Sequence, residues 1–283
     1  MMKKTALIID STVYLSEEEI KQYNLKIVSL NIIDKEESFK EVDVDQEFVY
    51  SRLDNGHRLT TSQPSPGEFL KTYKELFSEG YENILVVCLS DKISGTYQSA
   101  TMALNLLDEP SKVYVFNSNL AAFGNEMIAL KVIEEIQNDL DFQEIIKETN
   151  ELIASSNLIF TLESLVSLLR SGRLTKAKAL IATVLRVKPL IQMIDGKLDL
   201  YKSARTHKKV IQEIIARMKE TTKNYQKIYA RILGHNTEQA KILKTELEKV
   251  FKNIEITYTE KLGPIFCLHL GKKGYGVSWA YSK

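Results

Sequence analysis

The first half of the chain alternates short apolar runs with longer amphipathic segments, which predicts strands and helices in turn. The predicted strands are TALIID, NLKIVSLNII, NILVVCL and KVYVFN. The predicted helices are DVDQEFVYSRL, PGEFLKTYKELFSEG, SGTYQSATMALNLL and AAFGNEMIALKVIEEIQ. Pro66 in the first turn and Gly80 after the end support the second of these helices. The alternation predicts a mostly parallel sheet with crossover helices.

The second half keeps this alternation and adds a hairpin. After the helix DFQEIIKETNELIASS, the predicted strands are NLIFTL, KIYARILGH, IEITYT, PIFCLHL and GYGVSWAY, and the predicted helices are HKKVIQEIIARMKE and TEQAKILKTELEKV. Asp195 and Gly196 between two apolar runs are a hairpin signal. These units predict an α+β domain with a mixed sheet. We therefore expect an α/β protein with two domains, residues 1–155 and 156–283.

Composition places the chain among ordinary globular proteins, with 283 residues, 44% hydrophobic and 27% charged. No stretch approaches the roughly 20 apolar residues that cross a bilayer. The N-terminal apolar run is too short for the core of a signal peptide. We therefore expect a cytoplasmic protein without stable membrane insertion. Cys88 and Cys267 lie in apolar, strand-like runs and are predicted to be buried thiols, neither a disulfide nor a metal site.

The charges are distributed unevenly along the chain. Residues 1–150 carry 14 Lys and Arg against 26 Asp and Glu, a net charge of −12. Residues 151–283 carry 24 against 11, a net charge of +13. Two interpretations remain open: the two halves present complementary faces to each other, or the second half offers a basic docking surface.

Two clusters of hydroxyl residues precede predicted helices. Thr61 and Ser62 come before the helix that starts at Pro66, and Ser94 and Gly95 follow the strand NILVVCL. Ligands of parallel sheets bind where strands end and helices begin, because free backbone N–H groups attract an anion there. The clusters therefore predict a site for a small carboxylate or phosphate. Helix capping is the structural alternative, since Ser and Thr cap helices in many proteins.

Other chemistry is poorly supported by the sequence. Ser94 with His269 as base would form an esterase-like or phosphotransferase pair, but LSDKISG is not a G-x-S-x-G turn. The four histidines and two cysteines lack metal-ligand spacing, and the chain has neither a P-loop nor a G-x-G-x-x-G motif. The lysine-rich helix HKKVIQEIIARMKE has few aromatic neighbours, so a nucleic-acid partner is not expected. We expect no cofactor and no metal.

Several longer motifs carry a family resemblance. These are IIDSTVYLS, TTSQPSPGEF, LSDKISGTYQSA, LRSGRLTKAKALIATVLRVKPLIQMIDGKL, ARTHKK and LGPIFCLHLGKKGYGVSW. On these motifs, nearly end to end, the chain resembles the DegV family, the fatty-acid-binding carrier subunits of bacterial fatty acid kinase. Two positions depart from the family pattern. Ser171-Gly172-Arg173 stands where the family usually has Gly-Gly-Arg, and Leu270 to Gly274 replace the usual x-Gly-Pro-Gly after His269.

The resemblance implies a function for the hydroxyl clusters. A long-chain fatty acid would lie between two domains, with its acyl chain in an apolar tunnel lined mainly by the second domain. Its carboxylate would be bound by the following residues: Thr61, Ser62, Ser94, Gly95, Arg173 and His269.

The resemblance also implies a partner. A separate ATP-binding kinase subunit would phosphorylate the bound carboxylate, and Arg205 matches a position associated with docking of that kinase. The chain itself would catalyse nothing. Two alternatives are an enzyme that uses Ser94 and His269, and a regulatory protein that senses lipid.

Overall fold

The computed structural model describes residues 3–174, 187–223, 225–260 and 262–282. Its helices are α1 Glu17–Gln22, α2 Gln46–Asp54, α3 Pro66–Ser78, α4 Thr96–Leu104, α5 Phe123–Gln137, α6 Phe142–Ser155, α7 Val166–Arg170, α8 His207–Thr221, α9 Gln239–Val250 and α10 Pro264–Leu270. Its strands form three sheets, which we call A, B and C. The motif segment TKAKALIATVLR lies outside the described residues.

Sheet A is parallel, as the alternation predicts. It comprises β1 Lys3–Asp10, β2 Lys26–Val28, β6 Tyr81–Cys88 and β7 Val113–Asn117, in the order β2-β1-β6-β7. Neighbouring residues of β1 point to opposite faces: Ile8 packs with residues of α3 and α4, whereas Leu7 and Ile9 pack with residues of α5. Both faces are buried, which explains why the strand reads as a continuous apolar run.

Sheet B was not predicted. It is a three-stranded antiparallel sheet of β3 Asn31–Asp34, β4 Glu37–Lys40 and β5 Leu59–Ser62, in the order β4-β3-β5. The single predicted strand NLKIVSLNII is therefore wrong, because the run divides into β2 of sheet A and β3 of sheet B. Thr61 lies opposite Ile32 and Ser62 opposite Asn31, so both belong to a strand.

Sheet C is mixed, as expected. It comprises β8 Asn157–Leu162, β9 Lys188–Ile194, β10 Lys197–Ala204, β11 Lys227–His235, β12 Ile254–Thr259 and β13 Gly274–Ser282, in the order β10-β9-β8-β13-β11-β12. Only the pair of β11 and β12 is parallel among these strands. The hairpin at Asp195 and Gly196 is confirmed, with φ of 47° and 75° at these two residues. Helices α8 and α9 cover one face.

The prediction of a strand at PIFCLHL is wrong, because the segment forms α10. All seven residues of this helix are buried, so the sequence shows no apolar and polar periodicity that would distinguish a helix from a strand. Pro264 at its first position is the helix signal that was missed. Cys267 consequently lies on a helix, although both cysteines are free and buried as predicted.

Sheets A and B are built from residues before 118 and sheet C from residues after 156. The division into domains at residue 155 stays a prediction. Of the helices within the described ranges, none combines the length and the apolar character needed to cross a bilayer.

Candidate functional site

A cavity of about 320 Å³ lies between the two halves of the chain. Its apolar walls come from both halves: Leu30, Leu89 and Phe123 from the first, and Leu158, Phe160 and Phe266 from the second. The expectation that the second half mainly lines this space stays a prediction, because residues 175–186 are outside the described part of the chain.

The cavity brings together the residues that the sequence analysis singled out for a head group. All six line it: Thr61, Ser62, Ser94, Gly95, Arg173 and His269. Gln63 also lines the cavity and was missed, although it stands inside the motif TTSQPSPGEF. Arg205 does not line it and is exposed in the segment between β10 and α8. Arg205 therefore lies apart from the other candidates.

Thr61 and Ser62 reach the cavity from the end of β5, and neither caps a helix. The side chain of Ser65 caps α3 instead: its Oγ accepts from the backbone N–H of Glu68 at 3.3 Å, and Glu68 Oε2 accepts from the backbone N–H of Ser65 at 2.8 Å. Helix capping, the alternative role considered for Thr61 and Ser62, is thus performed by Ser65. Because neither Thr61 nor Ser62 is used as a helix cap, both can contact a ligand in the cavity.

Ser94 combines a local bond with its place in the cavity wall. Its Oγ lies 2.9 Å from Thr96 Oγ1 and accepts from the backbone N–H of Thr96 at 3.3 Å, at the start of α4. Gly95 lies close to Gln63, since a Cβ at this position would be 3.0 Å from the Gln63 amide and the amide would have to move by a few tenths of an ångström. The start of α4 therefore packs directly against the residue that follows Thr61 and Ser62.

His269 is brought to the cavity by α10. Its Nε2 lies 3.1 Å from Thr61 Oγ1, and the residue is only 7% exposed. Burial, followed by the positive charge of Arg173, lowers the pKa of His269 to about 3. The imidazole is therefore neutral at pH 7.

Arg173 is the only Arg, Lys, Asp or Glu side chain among the described residues that line the cavity. Its Nη1 donates to the backbone carbonyl of Ser171 at 2.7 Å, and it forms no ion pair with a carboxylate of the described residues. Burial lowers the pKa of Arg173 from its usual value, but a guanidinium remains charged in proteins. The cavity thus holds a cation that an anionic ligand can neutralise.

The loop after His269, where the sequence departs from the family pattern, is fixed by the surrounding structure. Gly271 ends α10 with a φ of 86°. Lys272 Nζ donates to the two carboxylate oxygens of Asp54 at 2.9 and 2.8 Å, and Asn236 Nδ2 donates to the carbonyl of Lys272 at 2.8 Å. These contacts hold the loop that follows α10 against α2 and the end of β11.

The geometry gives little support to an enzyme that uses Ser94 and His269. Both line the cavity, but the described hydrogen bonds pair Ser94 with Thr96 and His269 with Thr61. A histidine with a pKa of about 3 is a weak general base at neutral pH. Among the described residues, no three His, Cys, Asp or Glu side chains are arranged to hold a metal ion.

Comparisons with known proteins agree with the resemblance. A family model described as "Uncharacterised protein, DegV family" matches residues 4–282. Protein DegV of Bacillus subtilis (strain 168) is 31% identical over 281 residues, which cover 98% of this chain and 99% of that protein. A DegV domain-containing protein of Staphylococcus aureus (strain N315) is 32% identical over 285 residues, which cover 99% of this chain and 98% of that protein.

Solved structures confirm the fold class. The structure of DegV from Bacillus subtilis, described as a fatty acid binding protein, has a TM-score of 0.82 and 29% identity, with all of both chains covered. A fatty-acid-binding DegV family protein from Thermus thermophilus has a TM-score of 0.89 and 25% identity, with 98% of this chain and 99% of that chain covered. A DegV family protein from Ruminococcus gnavus, described with vaccenic acid, has a TM-score of 0.85 and 27% identity, with 98% of this chain and all of that chain covered.

Proposed function

We propose that this chain, which belongs to the DegV family, binds a long-chain fatty acid in its cavity and presents the carboxylate to a separate kinase subunit. The single observation that carries the proposal is the composition of the cavity wall. Apolar side chains from both halves surround it, and Thr61, Ser94, Arg173 and His269 bring hydroxyls, a cation and a neutral imidazole to the same space. A fatty acid has the matching chemistry, with one anionic group and a long apolar chain.

The acyl chain supplies the affinity in this proposal. Burial of each CH₂ group contributes about 0.8 kcal/mol, so a chain of around sixteen carbons contributes about 13 kcal/mol against the cost of association. The head group then needs orientation more than a strong ion pair. Hydroxyl donors orient a carboxylate without enclosing it, which leaves an oxygen accessible for phosphorylation.

The tautomer of His269 determines whether the Thr61 hydroxyl is free to donate to a carboxylate. Its Nδ1 is buried and has no hydrogen-bond partner among the described residues. A buried N–H donor without a partner is rarer and more costly than an unpaired acceptor, which places the proton on Nε2. Nε2 then donates to Thr61 Oγ1, and the hydroxyl hydrogen of Thr61 is left to donate to the carboxylate. In this arrangement His269 orients Thr61.

The relatives support the identity of the ligand. The Bacillus subtilis and Thermus thermophilus proteins are described as fatty acid binding, and they share at least 25% identity with this chain over nearly its whole length. The choice of chain length and unsaturation depends on the depth of the cavity.

Native mass spectrometry of freshly purified protein tests the proposed ligand. We expect a bound species whose mass matches a long-chain fatty acid and which is lost on denaturation. An empty protein that also fails to take up added oleate would contradict the proposal. If the isolated chain instead hydrolyses an acyl ester, and Ser94→Ala abolishes that turnover, the enzyme alternative is correct.

The kinase partner is supported by the family resemblance and by charge. Arg205 is exposed, forms no ion pair within the described part of the chain, and lies in the half with a net charge of +13. Charged rims mostly accelerate association and make it sensitive to salt. The ATP-binding partner would therefore dock near Arg205 while the ligand remains in the cavity.

Arg205→Ala tests this docking role against a matched control. Arg217→Ala removes the same charge at the other end of α8, where Arg217 pairs with Glu220 at 2.9 Å. We expect both variants to bind oleate normally and only Arg205→Ala to impair phosphorylation by the cognate kinase, with wild-type transfer falling as salt rises. Equal phosphorylation of the two variants at every salt concentration would exclude a docking role for Arg205.

A further inference from the structure

Helix α10 determines the position of a large part of the cavity wall. Ile265, Phe266, His269 and Leu270 all line the cavity from this one helix. A shift of the helix would change the distance of 3.1 Å between His269 Nε2 and Thr61 Oγ1. Whatever fixes α10 therefore also fixes the orientation of the Thr61 hydroxyl.

The start of α10 is fixed by a residue from the other half of the chain. Gly263 precedes the helix and has no side chain that could accept from its first N–H groups. The backbone N–H of Ile265 donates instead to Oε1 of Glu41 at 3.0 Å, across 224 residues of sequence. Glu41 is only 2% exposed, so this N–H would lose its carboxylate acceptor at a buried position if Glu41 were removed.

Glu41 is itself held by two hydroxyl groups that follow β1. Ser11 Oγ donates to Oε2 at 2.6 Å, and the Tyr14 hydroxyl donates to Oε1 at 2.7 Å. Burial raises the pKa of Glu41 to about 7, although bonds from Ser11, Tyr14 and the Ile265 N–H oppose that rise. Both carboxyl oxygens are thus occupied, and the side chain has one defined orientation.

The Tyr14 ring makes a second contact with the same end of the helix. A Cβ at Gly263 would lie 1.8 Å from the Tyr14 ring, so only glycine allows the ring to lie against the backbone there. The ring also meets Phe266 edge to face, with centroids 6.0 Å apart. Tyr14 therefore orients the Glu41 carboxyl and touches a residue of the cavity wall.

We infer that Glu41, oriented by Ser11 and Tyr14, is a positioning residue of the binding site: it fixes the start of α10 and thereby sets His269 against Thr61. Glu41 lies outside the cavity wall and outside the residues that the family resemblance implies. The inference deepens the proposed function and rests on it for the effect on affinity. The effect on His269 is independent of any ligand.

The first experiment compares Glu41→Ala, Glu41→Gln and Glu135→Ala. The amide oxygen that Glu41→Gln introduces can still accept from the Ile265 N–H, whereas the alanine variant has no acceptor. Glu135 is an equally buried carboxyl that accepts from Thr149 Oγ1 at 3.1 Å between α5 and α6, and it serves as the control for loss of a buried acid. For each folded variant we measure the dissociation constant of oleate and the ¹⁵N shifts of the His269 ring without ligand.

We expect Glu41→Ala to weaken oleate binding about tenfold, because only a minor fraction of the variant would hold the start of α10 in its binding-competent position before the ligand arrives. The same variant should shift the His269 ring nitrogens in the ligand-free protein. Glu41→Gln should stay within about twofold of the wild type and keep the His269 signals, since it restores the acceptor. Glu135→Ala should leave both readouts unchanged.

The outcomes separate the two claims. A folded Glu41→Ala protein with wild-type His269 signals and wild-type affinity would overturn the positioning role, as would a Glu41→Gln protein as defective as Glu41→Ala. If the wild type does not bind oleate, the fatty-acid proposal fails, and the His269 signals alone decide the role of Glu41.

If Glu41→Ala does not fold, Tyr14→Phe takes its place, with Tyr73→Phe as control, because Tyr73 donates to the Ala100 carbonyl away from α10. A His269 shift in Tyr14→Phe alone supports the role, and its absence overturns it.

Discussion

The hydroxyl side chains of the two motifs differ in how helix-start bonds and places in the cavity wall are distributed among them. In TTSQPSPGEF, Ser65 caps α3 while Thr61 and Ser62 line the cavity from the end of β5. In SGTYQSA, Ser94 both lines the cavity and bonds to Thr96 at the start of α4. The first motif divides a structural role and a place in the cavity wall between residues, and the second places both on one side chain.

This difference has a consequence for mutagenesis. A change at Thr61 should weaken binding and also lower stability, because it removes the hydrogen bond to the buried His269, whereas a change at Ser65 should lower stability alone. A change at Ser94 should affect both quantities moderately. Among the described hydrogen bonds of the two motifs, Thr61 contacts a histidine and Ser94 does not. We therefore expect a pH dependence of stability for the Thr61 contact and none for Ser94.

The largest effect is expected for Thr61→Val. The substitution keeps the shape of the side chain but removes the hydroxyl that contacts His269 and, in our proposal, the carboxylate. The bond to His269 exists with and without ligand, so its loss lowers stability, whereas loss of the charge-assisted bond to the carboxylate lowers affinity by about 2.5 kcal/mol, or roughly 70-fold. The control is Thr60→Val on the exposed neighbour in the same strand. Oleate titrations in which both variants bind alike would contradict the assignment of Thr61.

The next effect is a pH dependence of stability that belongs to His269. Its pKa is about 3 in the folded protein and about 6.5 in the unfolded chain, so between these values only the unfolded chain binds the proton. As the pH decreases below about 6.5, the free energy of unfolding therefore decreases by about 1.4 kcal/mol for each pH unit.

Urea unfolding of the wild type and His269→Gln measures this contribution, since the other titrating groups are common to both. We expect their difference in free energy of unfolding to change by about 2 kcal/mol between pH 6.5 and pH 5, to the disadvantage of the wild type. Ser94→Ala should keep the wild-type slope. Parallel slopes for the wild type and His269→Gln would show that folding leaves the pKa of His269 unchanged.

Ser94→Ala should have a moderate effect. One lost charge-assisted bond weakens oleate binding by about 1.5 kcal/mol, or roughly tenfold, and the lost bond to Thr96 lowers stability by less than about 1 kcal/mol. Calorimetric titration and thermal unfolding of the same preparation give both values. Unchanged affinity would confine Ser94 to its local bond at the start of α4.

The smallest effect is expected for Ser65→Ala. Removal of a helix cap costs about 1 kcal/mol of stability, and oleate affinity should not change because Ser65 does not line the cavity. Thermal unfolding and a binding titration check the two parts. A loss of affinity comparable to that of Thr61→Val would mean that the start of α3, and not the end of β5, binds the head group.

Local sequence signals predicted most of the fold where an element has two distinct faces or a defined turn. Asp195 and Gly196 adopt the positive φ angles that their hairpin requires, and Pro66 and Gly80 mark the two ends of α3. The segment 264–270 was assigned wrongly because it is buried on every side, and burial on every side removes the periodicity. Sheet B was missed because its strands have only four residues each.

The sequence brought the six head-group candidates together as a hypothesis, but it could not give their arrangement. The six head-group candidates came from motifs, and all of them line one cavity. The sequence could not show that Ser65 caps α3 while Thr61 faces the cavity, since both hydroxyls stand before the same helix. Nor could it show Glu41, whose contact with Ile265 spans 224 residues and depends on the packing of the whole chain.

A crystal structure of the protein with oleate would show directly where the head group and the acyl chain bind. We expect electron density for the acyl chain between the two halves, beside Phe160 and Phe266. One carboxylate oxygen should lie within about 3 Å of Thr61 Oγ1 and Ser94 Oγ, which is ordinary hydrogen-bond distance. A carboxylate at the apolar part of the wall with the acyl chain against Thr61 and Ser94, or oleate bound elsewhere with the cavity empty, would overturn the proposed binding mode.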